Sequence, residues 1–321
     1  MGSRGWTLFV AMSVIWGIPY LLIKIAVEGV SVPVLVFIRV ALGAAVLLPL
    51  ALSRRTVAMV RSHWPALLAF SFFEIIAAWW LLSDAERHLT SSMTGLLIAA
   101  SPIIAAVLDR CTGGERLGPK RIAGLAVGIG GVAVLAGPHI GGTTWPIVEV
   151  LLVATCYAIA PLIAARRLAD VPTLPMTAVC LTFAALVYAA PAVATWPRQM
   201  PETRVLVALA VLGVVCTAAA FLLFFALIRE VGAPRALVFT YINPAVALLA
   251  GVVVLAEPLT VGNVAALALI LAGSVLATRR PTSGPPDGDH RHRGPGPKSL
   301  PRKRRPAYRR GVVPGSRRSA P

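Results

Sequence analysis

Charged side chains are scarce in this chain of 321 residues: they make up 13% of it, whereas about 25% is usual in a soluble domain. Hydrophobic residues account for 57% of the sequence, and the mean hydropathy is +0.80. This shortage of charge excludes a globule solvated by water on all sides. The composition therefore predicts an integral membrane protein.

Residue patterns that carry metal, redox or catalytic chemistry are also missing. The four cysteines, Cys111, Cys156, Cys180 and Cys216, show no CxxC spacing and have no histidine cluster near them in the sequence. No Walker motif, HExxH motif or Ser/His/Asp pattern is present, and Gly128–Gly131 lies within an apolar run instead of following a strand. We therefore expect no metal, no cofactor, no ATP hydrolysis and no enzymatic activity.

Apolar runs of about 20 residues, the length that crosses a hydrocarbon core of about 30 Å, recur along the chain. Ten spans are predicted, at about 6–25, 33–52, 64–82, 90–108, 119–137, 145–164, 175–195, 204–227, 235–255 and 260–277. Arg4 precedes the first run, and no small-x-small cleavage site follows it. We therefore expect an uncleaved first span and not a signal peptide.

The charges of the connecting loops predict the orientation of these spans. If the N-terminus is cytoplasmic, twelve Lys/Arg outside the C-terminal tail fall on the cytoplasmic side and four on the other. Lys/Arg are concentrated in cytoplasmic loops of membrane proteins, and an even number of spans returns the chain to the same side. The protein is expected in the cell membrane as a multi-pass protein with both termini cytoplasmic.

The span region contains an internal repeat with a constant shift of 142 positions. The shift places Pro102 on Pro244, Glu115 on Glu257 and Gly131 on Gly273, and three further pairs of prolines coincide. These are Pro19 with Pro161, Pro33 with Pro175, and Pro49 with Pro191. Chance matching of apolar segments is the alternative, but prolines and a Glu-x-Leu turn shared at one offset argue against it.

The repeat divides the chain into two halves of five spans, residues 1–137 and 138–278. Because five is odd, the second half must enter the membrane from the opposite side, which is the inverted-topology repeat typical of secondary transporters. The fold class predicted is all-α and integral to the membrane, with ten transmembrane helices in two inverted five-helix repeats.

Residues 279–321 differ in composition from the rest. Between Thr278 and Pro321 lie thirteen Lys/Arg and two Asp, a net charge of +11 out of +17 for the whole chain. This Pro/Gly/Arg-rich stretch has no apolar periodicity, so a disordered cytoplasmic tail is predicted. Contact with anionic lipid headgroups is one expectation for it, whereas the lack of a folded module or interleaved aromatics disfavours nucleic acid.

These motifs resemble those of the EamA family of the drug/metabolite transporter superfamily. The resemblance is carried by Trp16-Gly17 with Lys24, Pro33 and Arg39, and by the two related series that follow. These are Pro102…Glu115-Arg116-Leu117…Gly131 and Asn243-Pro244…Glu257-Pro258-Leu259…Gly273. The resemblance implies a ten-helix exporter of amino acids, other metabolites or toxic amphiphiles; it does not choose among them.

Three ionisable residues inside the spans are functional candidates, because charge within a membrane is costly. They are Lys24, Arg39 and Glu74. Counting residues places Arg39 and Glu74 at depths about 6 Å apart. Glu74 is either a proton-accepting carboxylate in a central cavity, half of a structural pair with Arg39, or a group that forms a hydrogen bond across helices. Lys24, near a helix end, can extend to the membrane surface.

Aromatic and amide residues at similar depth add cavity candidates. Trp16, Tyr20 and Tyr241 would suit amphipathic or cationic solutes, whereas Trp79 and Trp80 are close enough to a helix end to be interfacial. Asn243 precedes Pro244, which frees a backbone carbonyl inside a helix. A hinge and a static kink beside the cavity are the two interpretations, and Ser101-Pro102 is the counterpart in the first half.

The repeat markers are expected to be structural. Glu115 and Glu257 precede the last helix of each half, where a carboxylate can cap free amides and complement the helix dipole. Gly131 and Gly273, with Gly124 and Gly128, permit close approach of two helices.

The function predicted is a secondary-active exporter of small metabolites or drugs that works by alternating access and is coupled to protons. The alternatives are a non-transporting membrane enzyme or scaffold and, within transport, a carrier of sugar conjugates, which would need more cavity cations than Lys24 and Arg39. Expected partners are membrane lipids, a small-molecule substrate, the proton and, as a further candidate, a second copy of the chain.

Overall fold

The structure is a computed structural model that describes residues 1–112, 118–137 and 144–278. In these ranges all regular structure is helical and no strand occurs. Eight helices are long and apolar enough to cross a membrane: α1 (Ser3–Ala26), α2 (Val32–Ala51), α3 (Arg54–Ala85), α4 (Ser91–Cys111), α5 (Pro119–Ala136), α6 (Thr144–Arg167), α7 (Thr173–Ala194) and α8 (Thr203–Val231). Two shorter apolar helices follow: α9 (Asn243–Leu255) and α10 (Val261–Ala277). The predicted all-α membrane class is confirmed, with eight of the ten predicted spans at full length.

The ninth predicted span is shorter because its first part is not a continuous α-helix. One short turn, Ala233–Ala236, and a 3-10 segment, Leu237–Tyr241, come before α9. Pro244 lies in the first turn of α9, where its missing N–H is tolerated although it could not continue a helix from the preceding residues. The turn around Glu115 and the tail at 279–321 lie outside the described residues.

Irregular helical segments recur at equivalent positions of the two halves. In α3, Phe72–Ile76 forms a π-helical segment, and in α8 the segment Val211–Ala219 does the same. A shift of 142 carries the first onto residues 214–218, inside the second. Likewise, α4 is interrupted just before Pro102 as the chain is interrupted before Pro244. Because π segments widen a helix and leave carbonyls free, both halves distort near mid-span.

Each helix packs closely against one helix from the other half. The pairs are α1 with α8, α2 with α7, α3 with α6, α4 with α9, and α5 with α10. Exchanging the halves by the 142-residue shift converts this set of pairs into itself. The largest apolar core lies among α2, α3, α7 and α8, so the first three helices of each half surround the interior.

Glycines bring α5 and α10 into backbone contact. A Cβ atom on Gly273 would lie 2.5 Å from the Cα of Gly128 and 2.6 Å from the carbonyl oxygen of Gly124. A Cβ on Gly131 would lie 2.8 Å from Ile270 Cγ1. These small residues therefore let the last helices of the two halves touch along their length.

Candidate functional site

An internal cavity of about 480 Å³ lies between the two halves. Its wall includes six of the seven residues predicted from the sequence as cavity or coupling residues: Trp16, Tyr20, Arg39, Glu74, Tyr241 and Asn243. The π segments of α3 and α8 and the interrupted part of α4 all contribute to the wall. The distortions of the helices therefore shape this cavity.

Arg39 is the one cationic residue of the cavity wall among the described residues. Its side chain is buried, and its Cζ atom lies 3.6 Å from the centroid of the Trp79 ring. Its Nε donates a hydrogen bond to Thr217 Oγ1 at 3.2 Å, and that hydroxyl donates to the Leu212 carbonyl at 2.8 Å. A cation–π contact and a hydrogen bond thus hold the guanidinium in one orientation, as stacked arginines at recognition sites are held.

Glu74 lies in the π segment of α3 and lines the same cavity. In the part of the chain that the structure describes, no hydrogen bond or ion pair reaches its carboxylate, and Arg39 contacts Trp79 and Thr217 instead. The structural pair of Arg39 and Glu74 considered from the sequence is therefore not found. Similar depth does not bring side chains together unless both helices also turn them to the same side.

Aromatic side chains form much of the remaining wall. The Trp16 indole donates to the carbonyl of Cys216 at 3.3 Å, a carbonyl within the π segment of α8. The same ring packs against three phenylalanines at centroid distances of 5.1 to 5.6 Å: Phe221, Phe224 and Phe239. Trp16 therefore links the interrupted part of α1, between Ile15 and Pro19, to α8.

At the breaks before the two equivalent prolines, side chains donate hydrogen bonds to backbone carbonyls. Ser101 Oγ donates to the Ile98 carbonyl at 2.5 Å. In the orientation that satisfies its amide, Asn243 donates to the carbonyls of Ser13 and Phe239 at 3.1 Å each. The Ile98 carbonyl, which Pro102 leaves without its helical donor, thus has one in this conformation. Asn243 connects the segment before Pro244 to α1.

Lys24, the seventh predicted site residue, lies outside the cavity. Its Nζ donates to the carbonyls of Glu86 and Leu89 at 2.7 Å each. The ammonium group of Lys24 therefore binds carbonyls at the end of α3 and does not face the cavity. An ammonium group there also complements the negative end of the helix dipole.

Glu257 caps a helix, but not the one that follows it. Its carboxylate accepts hydrogen bonds from the backbone N–H of Ser91 at 2.7 Å and of Ser92 at 3.0 Å, and from the Ser92 hydroxyl. The capped helix is α4, in the other half of the chain, whereas the sequence predicted a cap on α10. Glu115, the equivalent residue, lies outside the described residues.

Sequence reasoning missed two side chains that help define the site. Trp79, expected at the membrane interface, is buried beneath Arg39, and Tyr157 lines the cavity beside it. Counting along a helix gives depth but not the direction of a side chain, which explains the error for Trp79. A signal for Tyr157 was available, because the 142-residue shift places Trp16 on position 158, next to it.

Comparisons with known proteins agree with this architecture. The family model described as the EamA-like transporter family matches residues 3–137 and again residues 144–279. The uncharacterized transporter YvbV of Bacillus subtilis is 24% identical over 285 residues, covering 87% of this chain and 92% of that protein. An uncharacterized transporter of Archaeoglobus fulgidus is 22% identical over 86% of this chain and 99% of its own length.

Two further similarities are more limited. The aromatic amino acid exporter YddG of Ancylobacter novellus is 32% identical over 158 residues, which are 45% of this chain and 52% of that protein. A crystal structure aligns with a TM-score of 0.63 at 21% identity, covering 87% of this chain and 98% of its own, and shares the fold. Because the family model covers both halves of the chain, this protein belongs to the EamA-like transporter family.

Proposed function

We propose that this transporter exports small solutes by alternating access and that Glu74 couples export to the proton. The observation that carries the proposal is the cavity itself. Its wall contains both a fixed guanidinium and a carboxylate that has no hydrogen bond or ion pair from the described residues. An unpaired acid within a membrane is stable when protonated and can release the proton when water reaches it.

The inverted repeat and ten spans are part of the same proposal. The helix pairs and the positions of the π segments both transform into themselves when the halves are exchanged. This is the behaviour expected of two halves that move against each other about a central site. The bias of loop Lys/Arg supports cytoplasmic termini.

The wall of the cavity favours solutes with an aromatic or apolar body and an anionic group. Rings from Trp16, Tyr20, Trp79 and Tyr157 face the space, and Arg39 supplies a positive charge. Aromatic amino acids, named for one relative, have this chemistry and are the first substrates to test. A sugar-conjugate carrier is less well supported, because Lys24 is outside the cavity and no second cation lines it within the described ranges.

Replacing Glu74 by glutamine tests the coupling role. In proteoliposomes, phenylalanine uptake driven by a pH gradient should fall to the level of empty liposomes in Glu74→Gln. Counterflow of phenylalanine at equal pH on both sides should remain, since glutamine keeps the shape of the side chain but cannot exchange a proton.

Glu202→Gln is the matched control, because the Glu202 carboxylate is 74% exposed and pairs only with Arg204 among the described residues. It should behave as the unmodified protein in both assays. Unchanged gradient-driven uptake in Glu74→Gln would reject Glu74 as the coupling residue. If neither phenylalanine nor any solute found by comparing metabolites of cells with and without the protein is carried, the export proposal itself fails.

A further inference from the structure

The connection between α3 and α4 is bound from both halves of the protein. Lys24 of α1 donates to two carbonyls of this connection, those of Glu86 and Leu89. Glu257, between α9 and α10, accepts from the two amides that follow it, those of Ser91 and Ser92. We call the second set of bonds the Glu257 cap. It is a direct polar link between the first and second halves.

The backbone before Glu257 is shaped to direct its side chain towards α4. Ala256 has φ 54° and ψ 32°, and it is the one residue other than glycine with positive φ in the described ranges. Residues with a Cβ adopt this left-handed conformation at a cost. The Glu257 N–H donates to the Gly251 carbonyl at 3.2 Å, which closes the turn. This conformation brings the carboxylate back over the end of α9.

Gly251 leaves the space that the cap occupies. A Cβ atom there would collide with a carboxylate oxygen of Glu257 and with the Ser92 hydroxyl, and would lie 2.8 Å from the Ser91 hydroxyl. Helix α9 therefore packs directly against the cap without an intervening side chain. The cap is a partly buried contact between the two halves.

The cap closes one end of the cavity. Three residues bound at this connection lie four positions along the chain from a residue that lines the cavity, a rise of about 6 Å in a helix. They are Lys24 after Tyr20, Glu86 after Leu82, and Ser91 before Gly95. Fully buried apolar side chains, including Ile23 and Ala85, lie at this level. At the other end of α9, the lining residues Leu237 and Thr240 are exposed, so the cavity reaches the surface there.

The closed end also contains polar groups that favour opening. Both carboxylate oxygens of Glu86 and the hydroxyl of Ser91 are buried without a hydrogen-bond partner in the described structure. Buried polar atoms without partners destabilise the arrangement that buries them. Water that enters on opening would hydrate them. The hydrogen bonds of the Glu257 cap therefore offset the free-energy cost of burying these polar groups when this end is closed.

The sequence cannot build the same cap at the opposite end. The 142-residue shift places Ala233 and Pro234 at the positions of Ser91 and Ser92. Proline has no N–H, so the residue equivalent to Glu257 would find only one of the two amides. The chemistry that closes one end of the cavity is therefore specific to that end.

We propose that Glu257 is a gate residue, whose carboxylate binds the first amides of α4 when this end of the cavity closes and releases them when it opens. This inference rests on the alternating access proposed above. It assigns a role in transport to a residue of the second half that lies outside the cavity wall.

A cysteine in the cavity measures the opening directly. Ala99 lines the cavity, is half-buried and differs from cysteine by one sulfur atom. With the four natural cysteines replaced by alanine, Ala99→Cys is labelled in sealed vesicles of both orientations by a membrane-impermeant thiol reagent. The parent should react rapidly from the side of Leu237 and slowly from the capped side.

Two variants remove the cap in different ways. Glu257→Gln loses the charge and one acceptor oxygen. Ser92→Pro removes one amide and the hydroxyl, while proline is tolerated in the first turn of a helix, as Pro234 is at the equivalent position. Both should raise the labelling rate from the capped side by about tenfold, which corresponds to about 1.4 kcal/mol in the opening equilibrium.

Glu202→Gln is the control, since Glu202 is 74% exposed and pairs with Arg204 of its own half, beside the Glu28–Arg204 pair at the same end; its labelling should not change. Unchanged capped-side labelling in both cap variants would show a static cap and overturn the proposal. Loss of folded protein in both would also overturn it, because a bond that opens in each cycle cannot be required for folding. Labelling needs no substrate, so the two proposals can fail separately. The gate proposal can be rejected while transport is confirmed, and the transport proposal can be rejected while the labelling shows that the gate opens.

Discussion

Replacing Gly124 by valine is expected to leave little folded protein, whereas the same change at Gly130 is expected to be tolerated. A Cβ atom on Gly124 would lie 2.6 Å from both the Ala277 nitrogen and Leu276 Cβ, and 2.9 Å from the Gly273 carbonyl oxygen. Near Gly130 no atom lies within 4 Å of such a Cβ. Two of the atoms that meet Gly124 are backbone, so α5 and α10 would have to separate.

The size of this effect follows from how tightly the helix pair is packed. Overpacking a close-packed interface costs about 1–3 kcal/mol and occasionally more, and contact with backbone places this case at the upper end. Both positions lie in α5 and undergo the same change in helix propensity, so their difference reports the contact with α10 alone. Gel filtration and thermal unfolding in detergent measure it. Equal yield and equal melting temperature for the two variants would contradict the α5–α10 contact.

Replacing Arg39 by methionine is expected to produce a large loss of apparent affinity for the solute while leaving the fold intact. Methionine keeps most of the length and the apolar stem but removes the charge and the Nε donor to Thr217. Replacing a buried ionic group by an apolar side chain of similar size is often neutral for stability. The folded protein should therefore be recovered in normal amounts.

Transport should fall because Arg39 is the cation of the described cavity wall. A hydrogen bond to a charged group contributes about 1.5–3 kcal/mol, so the apparent affinity for an anionic solute should fall by about 10- to 150-fold. Initial rates of phenylalanine counterflow over a range of concentrations measure this change.

Two companion variants separate the charge from its support. Arg39→Lys should be intermediate, because lysine keeps the charge but not the planar group that stacks on Trp79. Thr217→Val should have a smaller effect, since it removes only the hydroxyl that orients the guanidinium. Unchanged affinity in Arg39→Met would show that solutes do not contact this cation.

Much of the site could be predicted because polar groups in apolar spans are few. Arg39, Glu74 and Asn243 stood out for their polarity, and the structure places all three on one cavity. Their partners could not be predicted in the same way. The contact of Arg39 with Trp79, in place of Glu74, depends on how α2 and α3 are rotated, and an almost uniformly apolar helix carries little information about rotation.

The partners of Lys24 and Glu257 could not be predicted, for a related reason. Both residues were placed at the correct kind of position, a helix end, but their partners lie on segments distant in the sequence. Lys24 reaches carbonyls 62 and 65 residues away, and Glu257 reaches amides 165 and 166 residues away. Local capping rules describe a residue and its own helix, so they could not identify a cap supplied across the interface between halves.

The sequence by itself determined that this protein lies in a membrane, that its halves are related by a shift of 142 residues, and that it resembles the EamA family. These properties follow from the composition of the spans and from the spacing of residues along the chain. Every residue of a span contributes to both. Only the tertiary structure decided which side chains meet in the cavity and which end of it is closed. Those facts depend on helix rotation and on π segments, breaks and turns such as Ala256, where a few contacts between distant residues outweigh local preference.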